Sequence, residues 1–261
     1  MKKILALTMA AAMSLSLVAC GNGGSGSKGN TSTANPPVVS GSQGGSSADA
    51  STPASVTTVE AGKLHMATNA AFPPYEMLAD DGTFEGIDIE IASEIAKKLG
   101  LELVVDDQDF TAAITAAGNG QSDIVMAGLT VSEERKETLD FTDTYATGIQ
   151  VVIVKEGSDL TMDNMGEKMI GTQKGTTGYQ YASDTPENGG YGEDHVIGYY
   201  NGAIAVEALK GGQIDCVIID NEPAKAYVAA NDGLTLLEGP WVTEDYAIGI
   251  KKGNTQLLNA I

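Results

Sequence analysis

The chain has 261 residues, and 15 Lys and Arg against 35 Asp and Glu give it a formal net charge of −20. A surface this acidic repels nucleic acid and anionic lipid while favouring solubility. With only two cysteines and two histidines, neither a disulfide framework nor a metal site is on offer, and no cofactor is expected.

In chain order, Lys2 and Lys3 precede an apolar run from Ile4 to Val18. The run is too short and too rich in small residues to span a bilayer, and residues 1–19 read as a secretory signal. It ends in Leu17-Val18-Ala19-Cys20, which resembles the bacterial lipoprotein processing box, where the cysteine thiol is acylated. Cys20 is the expected lipidation site; the alternative is a cleaved signal with an incidental cysteine. From Gly21 to about Ser55 the chain is Gly, Ser, Thr, Asn and Ala with almost nothing large and apolar. Such a stretch cannot offset the entropy of ordering, so residues 20–60 are assigned to an acylated cysteine and flexible tether. The expected location is the extracytoplasmic face of a cell membrane, of the Gram-positive kind.

From Lys63 onward strand-like and helix-like segments alternate, the pattern of an α/β protein with mainly parallel sheets. Lys63 to Thr68 reads as a strand. Asp88 is placed to cap a helix in which Ile91, Ile95 and Leu99 recur every fourth residue, with Gly100 to end it. Leu101–Val105 is the next strand, Asp109 caps an alanine-rich helix to Ala117, Ile124–Ala127 is a buried strand, and a short helix follows Ser132. The second half repeats the scheme: strand Met169–Thr172, helix after Thr177, strand Val196–Tyr199, helix Asn201–Lys210, strand Cys216–Ile219 and helix after Asn221. About two hundred residues support two small cores. Cys216, inside an apolar run, is expected to be a buried, inert thiol.

One internal echo stands out. Gly120-Gln121-Ser122-Asp123-Ile124-Val125 and Gly212-Gln213-Ile214-Asp215-Cys216-Val217 each follow an apolar helix and open a buried strand. Five residues beyond each aspartate lie Gly128 and Asp220, at carboxyl ends of strands, where open α/β sheets bind ligands.

Several segments offer binding chemistry. Gly128-Leu129-Thr130 runs into Ser132-Glu133-Glu134-Arg135, where Arg135 either presents its planar fork to a carboxylate or pairs with Glu134 or Glu137. Gln173-Lys174-Gly175-Thr176-Thr177-Gly178 joins a strand to a helix and can hold a modest anion on free N–H groups, though it lacks a nucleotide-binding P-loop ending. Asp220 closes an apolar strand and needs a cation, either Lys225 or a ligand ammonium. Phe72-Pro73-Pro74-Tyr75-Glu76 either lines a cleft or packs into a core, and Asn69 before it is an amide within reach of a ligand.

Taken together, Asn69 to Glu76, Gly86-Ile87-Asp88-Ile89-Glu90, Ala127 to Thr130 with Glu134-Arg135, Asp140-Phe141-Thr142-Asp143 with Tyr145, Gly175 to Gly178 and Asp215 to Asp220 resemble one family. It is the polar amino-acid-binding proteins of ABC importers, the extracellular solute-binding proteins of family 3. The likeness runs in order from about Lys63 to the C-terminus. It implies an α/β, two-lobed fold of the periplasmic-binding-protein type 2 class, each lobe a mainly parallel sheet flanked by helices. Lobe 1 is placed at residues 61–149, lobe 2 at 150–243, with a return to lobe 1 over 244–261.

The resemblance also implies a fixed grip on a free polar L-amino acid. Arg135 and the Thr177 amide take the α-carboxylate, while the Gly128 carbonyl, Thr130 and Asp220 take the α-ammonium. Phe72 and Phe110 flank the side chain, and Asn69 and Gln173 tune its choice. Many members that favour cationic or amide side chains carry an acid where this chain has Asn69, which argues against a strictly cationic preference. The implied partners are the permease subunits of an ABC transporter and the membrane through the lipid anchor, with the chain itself a monomer.

Hinges are expected near Gly148–Val151 and Trp241–Tyr246. Relatives continue with further helix, so an exposed apolar patch or a truncation is expected beside Ile261. The alternatives to transport are an amino-acid sensor for a separate receptor and a dehydratase-type enzyme on the same fold. His65 and His195 sit beside no plausible nucleophile, and the chain is read as no enzyme.

Overall fold

A computed structural model describes residues 56–237 and 239–261. The expected secretory signal, the expected lipidation of Cys20 and the expected tether as far as residue 55 lie outside the described residues. Val56 already packs against a core cluster, and the Val59 N–H donates to Asp123 Oδ1 at 2.8 Å.

Strand β1 (Lys63–Thr68) leads into a small antiparallel sheet of β2 (Ala71–Phe72), β3 (Glu76–Leu78) and β4 (Phe84–Glu85). Helix α1 (Ile87–Leu99), β5 (Glu102–Asp107), α2 (Phe110–Asn119) and β6 (Ile124–Val125) complete the first run, and β7 (Leu139–Lys155) leaves it. The second run is β8 (Ile170–Gln173), α3 (Thr177–Ser183), β9 (Val196–Tyr199), α4 (Gly202–Lys210), β10 (Cys216–Asp220), α5 (Asn221–Ala230) and β11 (Leu234–Leu236). Strand β12 (Val242–Lys251) and α6 (Thr255–Ala260) return.

Local chemistry explains most boundaries. Asp109 caps α2 by accepting from the N–H groups of Thr111 and Ala112 at 3.0 and 3.2 Å, and Gly120 ends it in a left-handed turn. Asp88 does not cap α1. The N-cap is Gly86 with no side-chain bond, because Asp88 is fully buried and turned inward. The apolar stripe of α1 is displaced as well: Ile89, Ala92 and Ala96 are buried, whereas half-buried Ile91, Ile95 and Leu99 line a groove with Ala260 and Ile261.

The echo is matched bond for bond. The Asp123 N–H donates to the His65 carbonyl at 2.9 Å while its carboxylate accepts from the His65 N–H at 2.8 Å. Asp215 makes the same pair with Met169, at 2.8 Å for both bonds. Each aspartate thus pins the start of its strand to the neighbouring parallel strand.

The sheet order is β5-β1-β6-β12-β7-β10-β8-β9, with β11 beside β7. The three strands at each end are parallel, and between them β12 and β7 pair antiparallel and serve both lobes. The expected crossing at Gly148–Val151 lies inside β7, and that at Trp241–Tyr246 runs over the start of β12. At ~3.3 Å per residue the 17-residue β7 spans about 55 Å, well beyond an ordinary strand. The β7–β12 register slips at Tyr246/Ala247 and Ala247/Gly249. A Cβ on Gly148, which pairs with Glu244 two residues before Tyr246, would overlap the Tyr246 hydroxyl, so only glycine lets this aromatic lie across the crossing.

Alternation along the strands sorts the cores. In the first lobe Leu64, Met66 and Ile124 face α1, and Ala67 and Val125 face α2. In the second, Val151, Ile153, Val217 and Ile219 face α4, while Val152, Val154, Cys216 and Ile218 face α3. Cys216 is fully buried, and burial pushes its thiol up to about 12, so it is inert.

Candidate functional site

The carboxyl ends of the parallel strands of both lobes converge on one cleft. Asn69 and Phe72 follow β1, Phe110 opens α2, and Gly128 and Thr130 follow β6. Arg135 sits on the one-turn helix Arg135–Glu137, with its N–H held by the Ser132 hydroxyl at 3.2 Å. Across the gap, Gln173 ends β8, Thr177 opens α3 and Asp220 ends β10. The structure brings all nine predicted residues together around one narrow cleft, joined by Glu76, Ala127 and Thr176.

Arg135 is 6% exposed and uses its fork on carbonyls, donating to Thr130 O at 2.7 Å and to Gly175 O at 3.3 Å. Its guanidinium lies 5.4 Å above the Phe110 ring. The surface pair with Glu134 or Glu137 is not made; Glu134 instead accepts from Gln180 Nε2 at 2.7 Å. Opposite Arg135, Thr176 caps α3 through the Tyr179 N–H, and the Thr177 amide belongs to the first turn, where helix geometry supplies no intrahelical acceptor.

Asp220 is 9% exposed and accepts from the Tyr246 hydroxyl and, at 3.0 Å, from Gln150 Nε2. Lys225 is not its partner, since it pairs with Glu222 at 2.7 Å. Burial pushes the Asp220 carboxyl up to about 7, against the pull of the Tyr246 bond. Burial likewise lowers the Arg135 guanidinium from its ordinary value. Burial thus disfavours the charged form of both groups, a cost that an opposite charge would relieve.

The two lobes touch across this cleft. Gln173 Nε2 donates to Asn69 Oδ1 at 3.0 Å, while Asn69 Nδ2 donates to the Gln108 carbonyl at 2.8 Å. The Tyr227 hydroxyl reaches the Ala71 carbonyl at 3.0 Å. Phe72 leaves its own lobe to pack against the core cluster of α4 and β10, so it is neither a simple core residue nor a free cleft wall.

Residues 64–261 match the profile of the bacterial extracellular solute-binding proteins, family 3. The chain belongs to this family. A probable histidine-binding protein of Neisseria gonorrhoeae is 31% identical over 81% of this chain and 78% of its own length. The arginine-binding extracellular protein ArtP of Bacillus subtilis is 31% identical over 90% and 79%. The arginine-bound, truncated ArgBP of T. maritima superposes with a TM-score of 0.71 at 33% identity, covering 76% of this chain and 92% of that one. The fold is therefore the type 2 periplasmic-binding-protein fold, and this family 3 member is a binding protein and not an enzyme. Among the described residues no helix is long and apolar enough to cross a membrane.

Residues that sequence reasoning left without a site role complete the cleft of this solute-binding protein. The Gly128 N–H and the Tyr145 hydroxyl both donate to Asp88 Oδ2, at 3.0 and 2.9 Å. Behind them Glu76 is fully buried, and burial followed by the Asp88 charge raises its carboxyl well above the usual range. Gln150 and Glu244, on the crossing strands, lie beneath Thr130 and Asp220. The available signal was a single polar residue inside an apolar run, as at Ile87-Asp88-Ile89 and Ile149-Gln150-Val151.

Gly128 adopts φ +51, and a Cβ there would lie 2.5 Å from Phe72 Cε1. Gly128→Ala is expected to cost about 1–2 kcal/mol of stability from the left-handed backbone alone and to weaken ligand binding about tenfold by displacing Phe72. Denaturant unfolding and calorimetric titration check the two numbers separately.

Proposed function

We propose that this protein captures a free polar L-amino acid between its lobes and delivers it to the permease of an ABC importer. The observation that carries the reading is a pair of buried opposite charges, Arg135 from the first lobe and Asp220 from the second, lining one small cleft. In this reading Arg135 and the Thr177 amide hold the α-carboxylate. The Gly128 carbonyl, Thr130 and Asp220 hold the α-ammonium, and Phe72 and Phe110 flank the side chain. Asn69 and Gln173, an amide pair spanning the cleft, face its polar end, in keeping with relatives named for arginine and histidine.

The lobes divide at residues 61–149 with 244–261, and 150–243. A zwitterion satisfies both only when they are shut, so the ligand acts as the latch, and the permease reads the shut state. Acylation at Cys20 and the tether that follows it would hold a monomeric domain at the extracytoplasmic face.

Three or four charge-assisted bonds of ~1.5–3 kcal/mol each, less desolvation and closure, suit a micromolar Kd, about −8 kcal/mol. A thermal-shift screen of the twenty amino acids tests this. Ligand at a thousandfold excess over Kd stabilises by about 4 kcal/mol, or roughly 10 °C for a domain of this size. At least one polar amino acid should reach that shift, and its N-acetyl and methyl-ester forms should not. A flat screen, or equal shifts from the blocked forms, would rule the reading out.

A further inference from the structure

Beneath the cleft, the two crossing strands each contribute a buried polar side chain that the grip on the ligand does not itself use. Gln150 of β7 is 1% exposed and Glu244 of β12 is 5% exposed. They are joined, because Gln150 Nε2 donates to Glu244 Oε2 at 2.9 Å. The same nitrogen donates to Asp220 Oδ2 at 3.0 Å, and the Thr130 hydroxyl donates to Glu244 Oε2 at 3.1 Å. One carboxylate oxygen therefore accepts a hydrogen bond from Thr130 in one lobe and, through a shared amide, is tied to Asp220 in the other. The register keeps them adjacent: Gln150 lies opposite both Val242 and Asp220, and Thr130 forms an isolated bridge with Tyr246.

The consequence follows from donor and acceptor counting. A threonine hydroxyl has one hydrogen and two lone pairs. With the hydrogen given to Glu244, only lone pairs remain for the cleft. An ammonium carries donors alone, so a hydroxyl free to rotate would spend part of its time aiming a hydrogen at it. Asp220 is oriented in the same sense, since Gln150 and the Tyr246 hydroxyl each supply a donor from below.

We propose that Glu244 is a positioning residue that commits Thr130 to accept from the ligand's ammonium before the ligand arrives. The proposal rests on the assignment of Thr130 and Asp220 to the ammonium made above. It places the polarity of the site in the strands about which the lobes move, where no ligand contact is required.

A double-mutant cycle on the purified protein tests it, using the amino acid selected by the screen and calorimetric Kd values, with ligand-free melting curves to check folding. Thr130→Val and Glu244→Met should each weaken binding about tenfold. If Glu244 acts through Thr130, the double variant should be no more than about twofold weaker than the worse single one. Glu244→Gln can place its carbonyl oxygen where Oε2 stands, accept both bonds, and so restore most of the affinity lost in Glu244→Met. Should Glu244→Met not fold, Glu244→Asp, which withdraws the oxygen by one methylene, should show the same loss. Losses that multiply in the double variant, wild-type binding by Glu244→Met or Glu244→Asp, or a Gln variant as weak as Met would overturn the positioning role. Wild-type affinity in Thr130→Val would instead overturn the assignment of the ammonium site.

Discussion

Asp220→Asn is expected to weaken binding of the preferred amino acid about a hundredfold, since a buried ammonium facing a neutral amide forfeits ~3 kcal/mol of charge-assisted bonding. The same substitution is expected to favour the ligand-free fold at high pH. The Asp220 carboxyl rises from an ordinary 3.8 to about 7, chiefly through burial. A carboxyl with the higher pKa in the folded state binds more protons there, so its contribution is most favourable below about pH 4 and is lost as pH rises to about 7. Asparagine has no such loss. Without ligand, its melting temperature relative to wild type should therefore shift upward between about pH 5 and pH 8. Ligand affinity of the wild type should move the other way, weakening towards tenfold per unit as pH falls below about 7, because the ammonium selects ionised Asp220. A melting difference that ignores pH, or an Asn variant within about threefold of wild-type affinity, would remove Asp220 from the site.

Arg135→Ala should cost a similar factor, about a hundredfold in Kd, by leaving the α-carboxylate without its counter-charge and the Thr130 and Gly175 carbonyls without their donor. Arg135→Lys separates charge from shape. A lysine keeps the charge but not the planar fork stacked on Phe110, and should recover about tenfold of the loss. Lys174→Ala is the control: Lys174 is an exposed residue beside the same turn, and its loss should change Kd by less than about twofold. Titration calorimetry on the four proteins decides the matter. If Lys174→Ala weakened binding more than Arg135→Ala, the carboxylate would have to be placed at the Gly175 turn alone.

Of the nine candidate residues, Gly128, Thr130, Thr177 and Asp220 each sit at the end of a short-range pattern, whereas Phe110 came from the family resemblance. Asp220 closes an apolar strand, Gly128 and Thr130 follow another, and Thr177 opens a capped helix. Patterns of this kind depend on neighbours within a few residues, which a sequence displays directly. Asp88 is bound by partners far away in the chain. A helix-start aspartate next to a glycine reads as a cap, yet its carboxylate serves Gly128 and Tyr145, forty and fifty-seven positions away. Arg135 and Asp220 had plausible local partners in Glu134 and Lys225, and both local pairs are absent because burial in a shared cleft outcompetes exposed ion pairs of little net worth.

By itself, then, the sequence determined the alternation of strands and helices, the Asp123 and Asp215 units that repeat, and the chemical kinds of group brought to the cleft. Periodicity, capping and turn residues act over a few positions of chain, so they survive without knowledge of the fold. Only the tertiary structure decided that the lobes share one sheet through β7 and β12. It alone decided that Gln150 and Glu244 lie under Thr130 and Asp220. Those bonds join residues 70 to 114 positions apart, and a buried polar side chain takes whichever partner the packing brings within 3 Å or so.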